Sequence, residues 1–323
     1  MTSPLGNRAA QAAFAAALDS GSLHHAWLIT GPAGVGKGMF ARDAGVSLLG
    51  GDPVRHRSLI EAYSHPDYKA VVREVWEPGK QPPRLKPYDQ RVDADPVARS
   101  IKIDQVRWLQ PMLGMAPSLS DRRVVIIDAI DDLERGGANA LLKNLEEPPA
   151  GTIFLLVSHA PGRLLPTIRS RCRLLRFEAL GEADMAAAVR KARPEADEAE
   201  IAALVDVGQG SPGRALRYAG LDVAGLDAAI GTIALDGDPA NARRLELAKA
   251  LSGKAAQPRY EAFLERAPAF LARSAHQRHG AALAAALDAH AAARDLAGAA
   301  LALSLDPQVT VIEMAGIVAR LRA

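Results

Sequence analysis

Residues 31–38 read Gly-Pro-Ala-Gly-Val-Gly-Lys-Gly, a phosphate-binding loop complete except at its last position. In the intact pattern the glycines let successive backbone N–H groups curl round phosphate oxygens, the lysine reaches the outer phosphates, and a Ser or Thr hydroxyl holds Mg²⁺. Gly31, Gly34, Gly36 and Lys37 supply the cradle here, and Gly38 stands where the hydroxyl belongs. A matching gap lies downstream. The β-branched run Val124-Val125-Ile126-Ile127 ends in Asp128, a residue able to hold Mg²⁺ through water, but Ala129 follows where an acidic group would orient the attacking water. The pattern therefore predicts a site that can hold the phosphates of ATP or ADP without hydrolysing them, with no catalytic residue in cis and no complete metal-ligand set. Asp131, Asp132, Glu146 and Glu147 lie close enough in sequence to be considered as acidic substitutes. Asp131 and Asp132 read better as the cap or first turn of the next helix, and Glu146-Glu147 as a helix end before Pro148-Pro149.

The elements that must position this loop are legible as alternating apolar β-type runs and helical segments, the pattern of a parallel sheet covered on both faces. Strands are predicted over Ala26 to Thr30, Tyr68 to Val72, Val124 to Asp128, Ile153 to Ser158 and Leu174 to Phe177. Helices are predicted over about 8–18, 37–49, 104–112 and 138–145. The stretch 74–96, rich in Pro, Lys, Arg and Asp without periodicity, reads as a solvated loop or hairpin. Beyond Phe177 the strand signal ends. A small helical unit over 181–220 contains the break Gly208-Gln209-Gly210-Ser211-Pro212-Gly213. From Leu221 onward, apolar residues recur at helical spacing in an alanine-dense background interrupted at Pro239, Pro258, Pro268 and Pro307. The fold class is thus α/β, a P-loop domain over 1–180, then a helical lid over 181–220 and an all-helical domain over 221–323.

At 323 residues the chain can form more than one real core. Its single cysteine, Cys172, permits neither an intramolecular disulfide nor a cysteine-based zinc site, as in a reduced cytoplasmic protein. The opening Met1-Thr2-Ser3-Pro4-Leu5-Gly6-Asn7-Arg8 lacks a basic cluster followed by an apolar core, and no run reaches membrane-spanning length. A net charge of +2 provides no global basic field, so contacts with nucleic acid are local or made through partners.

Longer runs are more specific. Asn139-Ala140-Leu141-Leu142-Lys143-Asn144-Leu145-Glu146-Glu147-Pro148-Pro149, followed by Leu164-Leu165-Pro166-Thr167-Ile168-Arg169-Ser170-Arg171-Cys172, closely resembles bacterial clamp-loader subunits of the AAA+ family, the gamma/tau and delta-prime subunits of DNA polymerase III. Leu23-His24-His25-Ala26-Trp27-Leu28, His65-Pro66-Asp67-Tyr68, Gly210-Ser211-Pro212-Gly213-Arg214-Ala215-Leu216 and Leu305-Asp306-Pro307-Gln308-Val309 extend the resemblance over nearly the whole chain. Motor subunits of that family carry a full P-loop and an acidic pair after the second strand, whereas delta-prime is degraded at one or both. This chain is degraded at both, and it is similar to delta-prime in length.

The resemblance implies a role for Ser170-Arg171-Cys172: the family projects such an arginine across a subunit interface onto the ATP of a neighbouring motor subunit. Read without the resemblance, Arg171 is one of a group with Arg169, Arg173 and Arg176 that forms a basic edge. Arg214 matches the family's sensor-2 arginine. The implied partners are gamma/tau motor subunits and a delta subunit, with the sliding clamp and primed DNA reached through the complex, and the last domain joining a ring-forming collar. One departure concerns zinc: many relatives insert a four-cysteine module after the P-loop helix, but residues 49–66 contain no cysteine, and His56 and His65 do not replace it without further ligands. Two other readings remain open from the residues: an active AAA+ ATPase motor, and a scaffold stabilised by nucleotide held at Lys37.

Overall fold

The computed structural model describes residues 4–73 and 98–322; the 74–96 stretch read as a loop lies outside the described residues. The five apolar runs form strands β1 (Ala26–Thr30), β2 (Tyr68–Val72), β3 (Arg123–Asp128), β4 (Thr152–Ser158) and β5 (Arg173–Arg176). All pair in parallel, in the order β2-β3-β4-β1-β5. Helices α1 (Arg8–Asp19), α2 (Lys37–Leu49) and α3 (Pro53–Glu61) precede β2, α4 (Ile103–Arg107) and α5 (Gln110–Leu113) precede β3, and α6 (Arg135–Glu146) and α7 (Pro166–Arg169) flank β4. Because helices cover both faces, β1 and β4 are buried at every residue, and their sequences read as continuous apolar runs instead of alternating ones. Alternate side chains still part company. Leu28, Val125, Ile127, Phe154 and Leu156 share one core with Val106, Leu109, Leu141, Leu145 and Ile168. On the other face Phe14 of α1 meets Trp27 edge-on at 5.0 Å and Phe40 of α2 at 5.4 Å.

Two local expectations change. The single helix predicted over 104–112 is broken into α4 and α5, because Pro111 has no N–H to give the carbonyl of Arg107. Helix α3 has no counterpart in the sequence reading, although its start signal is present: Asp52 caps it by accepting from Val54 N at 2.9 Å, and Pro53 occupies the first helical position. Next to α3 the buried imidazoles of His56 and His65 bond to each other, Nδ1 to Nε2 at 2.8 Å, and His65 Nδ1 accepts from Asp67 N. The pair packs as a hydrogen-bonded core element, and among the described residues no group of three or more metal-ligating side chains occurs.

The chain divides into two units, Met1–Lys191 with Gly208–Arg214, and Ala192–Val207 with Ala215–Ala323. The segment after β5 carries α8 (Glu182–Ala192), α9 (Glu198–Gly208) and α10 (Pro212–Arg217) and contributes to both. The remainder of the second unit is helical: α11 (Val223–Asp236), α12 (Ala242–Leu251), α13 (Gln257–Ala275), α14 (Gly280–Leu303) and α15 (Pro307–Ala319). Pro258 and Pro307 sit at helix starts, with Asp306 capping α15 through Val309 N. Pro268 does not interrupt the chain as expected; α13 runs through it, with Phe263, Leu264, Ala267 and Leu271 buried on either side. Within this unit Arg266, 1% exposed, binds Asp227 of α11 through Nε at 2.8 Å and through Nη2, and lies 3.6 Å from Asp206 of α9. Among the described residues no helix is long and apolar enough to cross a membrane.

Candidate functional site

The strand order fixes where chemistry can happen. With β4 between β1 and β3, the carboxyl ends of all three lie side by side: Thr30 pairs with Ser158 and Asp128 with Val157. The crevice outside such strand ends is the ligand-binding edge of an open α/β sheet. It gathers the phosphate loop, Asp128, Asp131 and the Ser158-His159 turn. The loop leaves β1 through Gly31, whose φ of 143° and close approach to Phe177 O (a Cβ there would lie at 2.0 Å) admit no side chain. It then opens α2 with Gly36 at the cap and Lys37 as first residue, the geometry that aims backbone N–H groups at an anion.

The loop's chemical groups are nevertheless engaged by the protein itself. Lys37 is 2% exposed, and its Nζ donates to Gly31 O at 2.6 Å and to Pro32 O. Burial draws its pKa down to about 8, against the opposing pull of Asp128 and Asp131. A Cβ on Gly38 would lie 2.2 Å from Asp128 Oδ2. The place of the missing hydroxyl's side chain is therefore taken by the very carboxylate that should share the metal with it. Asp128 in turn faces Arg42, Nη1 to Oδ2 at 3.5 Å, with both side chains largely buried. Arg42 lies one helical turn beyond Gly38, on the same face of α2. A cation thus sits against Asp128 where Mg²⁺ would be needed, and the residues present do not fit a Mg²⁺-nucleotide.

The loop is also covered within its own unit. Ser211 Oγ donates to Ala33 O at 2.8 Å and Gly213 N to Gly34 O at 2.9 Å. Gly34, at φ 77°, has no room for a Cβ, which would fall 2.4 Å from Ser211 Oγ and 3.1 Å from Arg214 N. Arg214 meets the loop through its backbone N, while its side-chain Nη1 is bonded to Gln209 Oε1 at 3.2 Å. On the other side Pro4, itself buried, would lie 2.9 Å from a Cβ on Gly36; Gln11 Nε2 ties its carbonyl down at 3.1 Å.

The acidic substitutes do not stand ready either. Asp131 and Asp132 lie in the first turn of a 3₁₀ helix, Ile130–Asp132, and α6 begins after Glu134, whose side chain makes no capping hydrogen bond. Asp131 accepts from Ser158 Oγ (2.9 Å), His159 N (2.5 Å) and Ala160 N (3.2 Å), pinning the end of β4 to the end of β3. Asp132 pairs with Arg73 at 3.1 Å and Glu146 with Arg171 at 2.8 Å. Ala129 is buried and apolar. Sequence reasoning missed Arg42, His159, Ser211 and Pro4 at this site. The signal for Arg42 was its i, i+4 spacing from Gly38, and for Ser158-His159 its position at the end of a strand flanked by β1 and β3.

Ser170, Arg171 and Cys172 lie elsewhere. They follow α7 and lead into β5, whose first residue, Arg173, pairs with Trp27 at the amino end of β1. The loop leaves the other end of β1, roughly 10–13 Å further along at about 3.3 Å per residue, so Arg171 does not serve its own phosphate loop. Ile168 and Cys172 anchor the segment against the core containing Leu141 and Leu145. Burial pushes the Cys172 thiol up to about 12, so it remains protonated and packs as an apolar group. Arg173 stacks over Trp27 at 5.0 Å.

A family model described as DNA polymerase III, delta subunit, matches residues 6–181, more than half of the chain. DNA polymerase III subunit delta' of Pseudomonas aeruginosa is 33% identical over 207 residues, 62% of this chain and 57% of that one. Subunit delta' of Escherichia coli is 32% identical over 209 residues, 62% and 56%, and subunit gamma/tau of Mycobacterium bovis 31% identical over 212 residues, 64% and 34%. The chain thus spans little more than half the length of the delta' relatives it matches. A gamma subunit-related protein of Thermotoga maritima superposes with a TM-score of 0.42 at 17% identity, over 93% of this chain and 95% of that one. The chain belongs to the DNA polymerase III, delta subunit family, a family of clamp-loader subunits.

Proposed function

We propose that the chain is a non-catalytic subunit of a bacterial DNA polymerase III clamp loader, a fixed wall against which gamma/tau motor subunits work. In this reading residues 1–180 are its AAA+ domain, 181–220 its lid, and 221–323 a collar joined to gamma/tau and delta subunits in the cytoplasm. The observation that carries it is the self-filled nucleotide site: Asp128, held by Arg42, occupies the space of the missing hydroxyl at Gly38, while Lys37 is bonded to the loop's own carbonyls. Phosphoryl transfer is catalysed by placing metal, water and charge, and here the metal's place is contested by a guanidinium. In this reading ATP or ADP held at the loop is not hydrolysed, and no cofactor or zinc is required.

Its contribution to chemistry is made in trans. Arg171 lies at the far end of β1 from its own loop, two residues before Arg173, which pairs with Trp27, whereas Arg176 pairs with Thr30 at the loop end. A guanidinium carries a permanent charge and a planar fork of donors that fits phosphate oxygens, and such fingers accelerate turnover by roughly 10³ to 10⁵. The sliding clamp is opened by the neighbours' ATP cycle, and primed DNA is met through its phosphates.

The test is DNA- and clamp-stimulated ATP hydrolysis by the assembly reconstituted with motor and delta partners. Arg171→Ala is expected to cost the site it serves most of its turnover while the complex remains intact. An undiminished rate would leave the Ser-Arg-Cys run an ordinary basic edge, and Mg²⁺-dependent turnover by the isolated chain would return it to the motor class.

A further inference from the structure

Both terminal nitrogens of Arg171 are engaged within the chain: Nη2 with Glu146 Oε1 at 2.8 Å and Nη1 with Thr167 O at 2.9 Å. These are the donors a phosphate would take. The pairing is set by the core and not by two loose surface chains. Leu145, adjacent to Glu146, and Ile168, three residues before Arg171, are each 1% exposed in the same cluster, and Arg171 N is bonded to Ile168 O at 3.2 Å. His25 Nε2 further fixes the end of α6 through Leu145 O at 3.2 Å. Glu146 is the last residue of α6, the end of a helix where the backbone dipole disfavours a carboxylate. Helix stability alone does not account for an acid there, and Arg171 offsets its charge.

We propose that Glu146 is a latch that holds the Arg171 finger in cis until a neighbour's nucleotide phosphate displaces it. The inference rests on the trans-finger reading above. Strength decides whether such a pair can act as a latch. The side chains of Arg171 and Glu146 are 34% and 49% exposed, and ion pairs this open to water bias a conformation by up to about five-fold. A nucleotide phosphate, with more charge and more acceptor oxygens than one carboxylate, outcompetes it once a neighbour presents it at the same edge. Glu146 is then a positioning residue that suppresses idle turnover before the assembly is fully engaged.

The experiment uses the reconstituted assembly with its motor and delta partners, checked for intactness by mass photometry, and reads ATP hydrolysis with and without clamp and primed DNA. Glu146→Gln removes the charge and preserves the shape. It is expected to raise the unstimulated rate about two- to five-fold and leave the stimulated rate near that of wild type, so the stimulation ratio falls by the same factor. In an Arg171→Ala background the effect of Glu146→Gln should vanish. An unchanged or lowered unstimulated rate for Glu146→Gln, with Arg171→Ala still slow, overturns the latch and leaves the finger standing. A persistent Glu146→Gln effect without Arg171 also overturns the latch. Full activity of Arg171→Ala instead removes the finger on which it rests.

Discussion

Gly38→Ser, the change that restores the hydroxyl of a complete phosphate loop, is expected to destabilise the protein without creating an ATPase. A Cβ at residue 38 would lie 2.2 Å from Asp128 Oδ2 and 3.2 Å from its Cγ, so the carboxylate must swing away from Arg42. Breaking a fully buried ion pair costs about 3–5 kcal/mol and a surface pair about 0–1. With an N–O distance of 3.5 Å and side chains 16% and 17% exposed, this pair falls between them, at about 2 kcal/mol. Serine improves on glycine in a helix by about 0.5 kcal/mol, which leaves a net loss of about 1.5 kcal/mol. For a unit of this size that lowers Tm by roughly 3–6 °C, measurable by circular dichroism on heating. Asp128→Ala supplies the decisive background: with no carboxylate to displace, the same glycine replacement should be neutral or slightly stabilising. A wild-type Tm for Gly38→Ser, or an equal loss in both backgrounds, refutes the account of why glycine stands there.

Three further expectations concern groups with defined partners. Lys37, whose pKa of about 8 in the fold lies below the roughly 10.4 of an unfolded lysine, leaves the unfolded chain binding more protons between those values. Stability should therefore gain from this group as pH rises from 8 to 10.5, and urea titrations across that window should show the gain lost in Lys37→Met. Arg123, 2% exposed, donates Nη1 to the carbonyls of Met112, Leu113 and Met115 and Nη2 to Ala150 O; Arg123→Met should cost about 3 kcal/mol in urea unfolding, and a cost under about 1 kcal/mol would mean those carbonyls find other donors. Arg266→Met should destabilise the helical unit by about 3 kcal/mol by stranding Asp227, whereas the paired change Arg266→Met with Asp227→Leu should recover most of that loss.

Much of the first unit could be read directly along the chain. Strands β1, β3 and β4, buried nearly throughout, are continuous runs dominated by apolar residues, and with the partly exposed β2 and β5 they match the sequence reading to within a residue, while Gly31 to Lys37 announces a loop between strand and helix. Boundaries failed where one residue outweighs periodicity: Pro111 splits a helix and Pro53 after Asp52 starts one, each through a backbone N–H. Pro268 shows the reverse, since burial of Phe263, Leu264 and Leu271 carries α13 through it.

The sequence by itself determined which chemical groups are missing: Gly38 carries no hydroxyl, and Ala129, not an acid, directly follows Asp128. Only the tertiary structure decided what fills the gap. Arg42 meets Asp128 across 86 positions of chain, Ser211 meets Ala33 across 178, and Glu146 meets Arg171 across 25 positions that include the whole of β4. Ion pairs and side-chain hydrogen bonds of this kind depend on distance and burial, which strand order and helix packing set. No local pattern of residues encodes them.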